Sequence, residues 1–228
     1  WALYRLMERF SKEFSNVMAM LCAGGSGRVD YGALPYFHSF WPSDNTDPLG
    51  RIKIQWGFSH FFPASTISAH VTRMGKRHLK LAIDVALSGA FGIDLALDKA
   101  TAEERVQIAD AVKLYKASIR PLVMQGELYR LVSPYEHPMA SLSYVSTDKN
   151  DAVVYLYQIQ DGSVPQVILG GLDARKNYRV EEGGLPKGST SRFPGHGKIF
   201  SGAELMSTGI ANPLNAQFES AILLLKTQ

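Results

Sequence analysis

The first fourteen residues repeat their apolar positions at helical spacing. Leu3, Leu6, Met7, Phe10 and Phe14 fall on one side, with Arg5, Glu8, Arg9, Lys12 and Glu13 on the other. Asn16 interrupts the pattern. Val17 to Leu21 is short, apolar and without alternation, the signature of a strand buried on both faces of a parallel sheet. A second unit follows: Phe37 to Trp41 reads as a strand, and a helix runs from about Leu49 to Phe61. Asp47 before Pro48 marks its start, because proline suits the first helical position and drives its predecessor out of the helical region. Ile67 to Val71 predicts a third strand, and Leu79 to Leu97 a helix with a short apolar segment. Thr101 and Glu104 form a capping box, with Val106, Ala109, Val112 and Ile119 as the predicted inner face of the next helix.

After Gly126 the period changes. Leu142–Val145, Val153–Ile159, Gln166–Leu169, Tyr178–Glu181 and Phe218–Leu225 read as strands separated by Gly, Pro, Asp and Asn, with no helix predicted between them. The expected fold is therefore α/β followed by all-β. Residues 1–126 form the C-terminal half of a (β/α)8 barrel, and residues 127–228 an antiparallel β domain. A complete barrel takes about 250 residues, so only the last four or so units fit. Half a barrel leaves two sheet edges unpaired, and the expectation is a piece of a longer protein.

Composition narrows the function classes. The chain has 228 residues, 46% hydrophobic and 20% charged, with a net charge of +3. Its 24 basic residues are scattered, so no stripe exists to track nucleic-acid phosphates. No apolar run reaches the roughly 18 residues of a membrane span, and no membrane partner is expected. Cys22 is the only cysteine, which excludes an intrachain disulfide and leaves the compartment open. The six histidines are dispersed without ligand spacing, so no metal is expected. The glycines at 24–27 lack the dinucleotide pattern, and no cofactor is expected.

Barrel enzymes carry their reactive groups at the C-terminal ends of strands, and two segments there are rich in polar groups. In Cys22 to Asp30, glycines 24, 25 and 27 allow close backbone approach to a ligand, and Arg28 and Asp30 can bond a polyhydroxylated substrate or each other. In Trp41 to Asp47, Asp47 caps the helix with Arg51 four residues on as its expected partner. Asp44 has no cationic neighbour in sequence. It follows Trp41, whose ring can desolvate it or stack on a sugar, and desolvation raises a carboxyl pKa toward that of a general acid. An Asx-turn closing the strand is the plainer reading of Asp44, and the residues alone leave both open. His70 is expected to pack rather than to react.

Cys22-Ala-Gly-Gly-Ser-Gly-Arg28-Val-Asp30 resembles the Cys-(Ala/Ser)-Gly-Gly-Gly-Gly-Arg-Phe-Asp segment of family 36 α-galactosidases. Trp41-Pro-Ser-Asp44-Asn-Thr-Asp47 with Arg51 and Gln55 is similar to that family's Trp-x-Ser-Asp-Asn/Asp-Thr-Asp-x-x-x-Arg-x-x-Ile-Gln. Ala69–Val71, Tyr129–Pro134 and Phe200–Met206 match as well. The resemblance implies a glycosidase that hydrolyses terminal α-galactosides of the melibiose or raffinose type with retention. Asp44 would be the general acid/base, and Cys22, Gly25, Arg28 and Trp41 would line the sugar. It also implies a full-length homo-oligomer. Raffinose-synthase-type galactosyl transfer and a non-catalytic carbohydrate-binding fragment are the alternatives. Ser26 for Gly and Val29 for Phe depart from the family's loop. The family's nucleophile belongs to a Lys-Trp-Asp segment that this sequence does not contain, so this chain alone is expected to be inactive.

Overall fold

The structure is a computed structural model that describes residues 2–228. The first helix, α1 (Ala2–Glu13), forms where its periodicity predicts. Only Met7 of its apolar face is buried, whereas Leu6 is 63% exposed and Leu3, Phe10 and Phe14 also face solvent. Helical spacing creates an apolar stripe, but a stripe is buried only where another element covers it.

Strands β1 (Met20–Leu21) and β2 (Ser39–Phe40) pair in parallel, and so do β3 (Ser68–Val71) and β4 (Ala90–Ile93). A bridge between Phe40 and Ile67 joins the two pairs, so four parallel strands stand in sequence order. Each is shorter than its apolar run. Helix α2 (Pro48–Phe58) connects β2 to β3, and α3 (Leu79–Ala86) connects β3 to β4. After β4, α4 (Ala102–Leu114) starts with both bonds of the predicted capping box. The Thr101 hydroxyl accepts from the Glu104 N–H at 3.1 Å, and Glu104 accepts from the Thr101 N–H at 3.0 Å. The helix widens to a π-turn at Tyr115–Ile119 and resumes as α5 (Arg120–Gln125). Pro121 explains the wide turn: it lacks an N–H and would crowd the carbonyl four residues back in a regular helix. The predicted inner face is rotated. Ile108, Ala111, Tyr115 and Ile119 are buried while Val106 is exposed, because the side that docks on β4 is set by Tyr115, whose hydroxyl donates to Gly89 O at 2.9 Å.

The β domain is a six-stranded antiparallel sheet. Its strands are β5 (Glu127–Val132), β6 (Met139–Val145), β7 (Asp151–Gln158), β9 (Asn177–Gly183), β10 (Lys198–Ser201) and β12 (Ser220–Thr227), in the order β10-β9-β12-β7-β6-β5. The short strands β8 (Gln166–Val167) and β11 (Ile210–Ala211) pair separately. Contrary to expectation a helix, α6 (Gly202–Ser207), interrupts the strands. Ser201 caps it by accepting from the Glu204 N–H at 3.1 Å.

This sheet is buried on both faces. Leu142, Tyr144, Val153, Tyr155, Tyr157 and Ile222 face the helices of the first half. Met139, Val154, Leu156 and Leu223 face a second core closed by Phe193 and Leu205. Tyrosine hydroxyls buried against a helix need partners, and these find the carbonyls that α3 leaves open at its C-terminus. Tyr157 donates to Asp84 O at 3.0 Å, Tyr155 to Leu87 O at 2.8 Å and Tyr144 to Ser88 O at 2.7 Å. Burial drives all three phenols far above their ordinary pKa, so they remain donors. Asp84, fully buried, meets Lys80 and accepts from the Ser220 hydroxyl at 2.7 Å. Tyr155→Phe and Tyr157→Phe are each expected to lower stability by about 1–3 kcal/mol, since each strands a buried carbonyl. Thermal melts check this, and melts equal to wild type would show that water replaces the hydroxyls.

Candidate active site

The C-terminal ends of β1, β2 and β3 bring their loops to one rim. Leu21 lies opposite Phe40 in the β1–β2 register, and the Trp41 N–H donates to Leu21 O at 2.9 Å. Cys22 and Trp41 are thereby the first residues beyond two adjacent strand ends. Cys22 is exposed there.

The glycine loop folds back onto the neighbouring loop. Gly25 has a φ of +69°, and a Cβ on it would stand 2.8 Å from the backbone nitrogen of Asp44 and 3.0 Å from Cα of Ser43. Its missing side chain is what lets the loop after β1 lie against the residues leading into Asp44. Ser26, where the family motif has glycine, also adopts a left-handed φ of 70°, at a cost of about 1–2 kcal/mol for a residue with a Cβ. Arg28 is exposed further along the loop, and no ion pair joins it to Asp30 among the described residues. Asp30 is occupied structurally. It accepts from the Ala33 N–H at 2.9 Å and from the Tyr4 hydroxyl at 2.5 Å, which ties the loop to α1.

Asp44 is exposed at the rim. Trp41 Nε1–H donates to its Oδ1 at 3.1 Å, so the indole binds the carboxyl rather than desolvating it. The segment between Asp44 and α2 is tightly bonded. Ser43 Oγ accepts from the Asn45 N–H at 3.1 Å, and Asn45 Oδ1 accepts from the Asp47 N–H at 3.0 Å. The Thr72 hydroxyl donates to Thr46 Oγ1 at 2.8 Å, and the Thr46 N–H reaches Met74 Sδ at 3.2 Å, which fastens this loop to the one after β3.

Asp47 caps α2 as its sequence predicts, accepting from the Leu49 N–H at 3.4 Å. Its cationic partner is different, however. Arg77 Nε lies 3.5 Å away, with the Arg77 guanidinium 4.6 Å from the Phe218 ring of the β domain. Arg51 instead turns inward. Its Nη2 donates to Ser68 O at 3.2 Å, and its guanidinium lies 4.7 Å from the centre of the Trp41 ring. Burial lowers the pKa of Arg51 to about 10, with Asp44 acting in the opposite direction. Asp44 therefore does have a cation nearby, seven positions on and carried inward by the helix. His70 packs as expected, its ring edge-on to Trp41 at 4.7 Å and close against Gly92. Burial first, and then Arg51, lower its pKa. Sequence reasoning paired Arg51 with Asp47 and missed its place beneath Trp41, although a signal existed: Arg51 and Gln55 stand one turn apart beside Ile52 and Trp56, on the side of α2 that is buried.

Cys22, Gly25, Trp41 and Asp44 thus converge, Arg28 stands apart, and Arg51 and His70 hold Trp41 from below. Among the described residues no group of three or more His, Cys, Asp or Glu side chains is arranged to hold a metal ion. Among the described residues no helix is long and apolar enough to cross a membrane.

Residues 1–126 match the Melibiase family model, and residues 139–225 match the C-terminal domain of glycosyl hydrolase family 36. The chain is 36% identical over 220 residues to α-galactosidase AgaA of Geobacillus stearothermophilus, covering 92% of this chain and 28% of the relative. It is 30% identical over 236 residues to α-galactosidase 2 of Hypocrea jecorina, covering 99% of this chain and 30% of the relative. The crystal structure of the family 36 α-galactosidase AgaB from Geobacillus stearothermophilus superposes with a TM-score of 0.87 at 34% identity, over 99% of this chain and 31% of that one. A variant of AgaA in complex with raffinose does so with a TM-score of 0.87 at 33% identity, over 99% of this chain and 31% of that one. The chain spans about three tenths of the length of these proteins. Motif, fold and similarity agree over both halves, and the chain belongs to the melibiases of glycoside hydrolase family 36.

Proposed function

We propose that this chain is part of a retaining α-galactosidase in which Asp44 is the general acid/base. The observation that carries the reading is the Trp41–Asp44 contact at the end of β2, pressed upon by the glycine loop after β1. Residues 1–126 are then the last four units of a (β/α)8 barrel, and residues 127–228 the β domain packed on its helices. The exposed apolar face of α1, with Val17, Met18 and Met20, is the surface that the first four units would cover.

In this reading Asp44 begins protonated. Its proton passes to the glycosidic oxygen as the bond from that oxygen to C1 breaks, and the bonding electron pair leaves with the aglycone. A carboxylate from the part of the barrel outside this chain forms a bond to C1, about 5–5.5 Å separating the two carboxyl groups. Asp44, now ionised, takes a proton from water as the water oxygen attacks C1 and the covalent bond is released. Cys22, the backbone at Gly25, Arg28 and the Trp41 ring line the galactose. Raffinose and stachyose, seen with the family 36 enzyme AgaA, give the substrate class: short oligosaccharides ending in α-galactose. The full-length protein is a homo-oligomer.

The test is proton NMR of the full-length protein acting on p-nitrophenyl α-galactoside. Galactose should appear first as its α anomer. The β anomer appearing first would replace retention with inversion. Galactosyl transfer to sucrose outpacing hydrolysis would make the protein a transferase, and no release at all would make it a binding protein.

A further inference from the structure

The interior of the first half holds one large charged side chain without an obvious use. Arg51 is 2% exposed, yet its side chain makes a single hydrogen bond, to Ser68 O. Its Nε and Nη1 are sealed from solvent with no acceptor among the described residues. A buried cation carries a desolvation penalty that an apolar side chain of similar volume would avoid. What surrounds the guanidinium accounts for its presence. The Trp41 ring lies over it at 4.7 Å, a cation–π contact strengthened by desolvation. His70 closes the same ring from another side at 4.7 Å. The indole is thus clamped, with its N–H directed at Asp44 Oδ1, 3.1 Å away.

An indole N–H can only donate. The oxygen it meets must present a lone pair, and because the carbonyl oxygen of a carboxylic acid is the stronger acceptor, a protonated Asp44 favours its hydrogen on the other oxygen. We propose that Arg51 is a positioning residue that fixes Trp41 beneath Asp44, so that Oδ1 is held by the indole and Oδ2 carries the transferred proton. This rests on the acid/base reading of Asp44. Without the clamp, ring and carboxyl turn independently, and the proton is presented in the wrong direction for part of the time. The same clamp serves both half-reactions: Oδ2 delivers the proton to the glycosidic oxygen and later takes one from water.

The test compares Arg51→Met, Arg51→Lys and Trp41→Phe in the full-length protein. Trp41→Phe keeps an aromatic face and removes the N–H. Arg51→Lys keeps the charge and removes the stacking plane. For each variant, kcat/KM is measured on raffinose, which needs its leaving group protonated, and on 2,4-dinitrophenyl α-galactoside, which does not. All three should lose at least tenfold more on raffinose than on the activated substrate, with melting temperatures near wild type. Equal losses on both substrates together with a lower melting temperature would reduce Arg51 to packing and overturn the proposal. So would an unchanged ratio in the Arg51 variants alongside a changed one in Trp41→Phe. If Arg51→Met does not accumulate as folded protein, the ratio for Arg51→Lys decides by the same criterion. A wild-type protein inactive on both substrates would instead remove the acid/base reading itself.

Discussion

Asp44→Asn in the full-length protein is expected to lower kcat/KM on raffinose by about 10²–10⁴-fold, the range that a positioned acid/base group contributes. Asparagine keeps the shape of the side chain and can still accept the Trp41 N–H, so the loop should stay in place and the melting temperature should not move. The loss should depend on the leaving group. A dinitrophenolate departs without protonation, so the first half-reaction on that substrate needs little help from Asp44. The second half-reaction still needs a base, and the covalent galactosyl intermediate should accumulate. A burst of dinitrophenol followed by slow turnover is the expected trace. Equal loss of the glycosylation rate on both substrates, with no burst, would take the acid role away from Asp44.

Gly25→Ala is the second large effect, and it reaches Asp44 through the backbone. The new Cβ would stand 2.8 Å from the Asp44 nitrogen, a distance real Cβ atoms essentially never show, at a residue whose φ is +69°. The left-handed conformation costs about 1–2 kcal/mol once a Cβ is present. The clash must be relieved by moving either the glycine loop or the Ser43–Asp44 segment. That segment is fastened to the loop after β3 through Thr46, Thr72 and Met74, so part of the shift falls on the glycine loop and its neighbour Cys22. A displacement of about 1 Å at a reacting group can cost 10²-fold in rate. The expected outcome is a folded protein with activity on raffinose down by about that factor and weakened inhibition by galactose. Wild-type activity in Gly25→Ala would mean that the two loops are free to separate, and that the contact does not position Asp44.

Local features translated directly from residues to structure. Asp47 before Pro48 starts α2, and Thr101 with Glu104 starts α4, because a cap is satisfied within four residues and needs no distant partner. Pro121 deforms its helix for an equally local reason. Strands β6 and β7 were visible as apolar runs. Strand β10 and helix α6 were not. Lys198–Ser201 is half polar and pairs with β9 across a loop, and six residues of helix carry too little periodicity to register.

The sequence by itself determined the order of an α/β part and a β part, the starts of α2 and α4, and the family motifs, whose resemblance supplied the candidates Cys22, Gly25, Arg28, Trp41 and Asp44. The first two rest on periodicity and short-range hydrogen bonding, which are written along the chain; the candidates rest on the resemblance. Only the tertiary structure decided which faces are covered. It left α1 exposed, turned the Ile108, Ala111 and Tyr115 side of the fourth helix inward, and capped α3 with tyrosines from another sheet. It also decided charge partners. Asp47 and Arg51 stand one helical turn apart, yet Arg77 reaches Asp47 from the next loop while Arg51 goes beneath Trp41. An i,i+4 pair on an exposed helix is worth only a few tenths of a kcal/mol. So weak an attraction does not hold Arg51 at the surface, and which ring lies within its reach is settled by how the strands align.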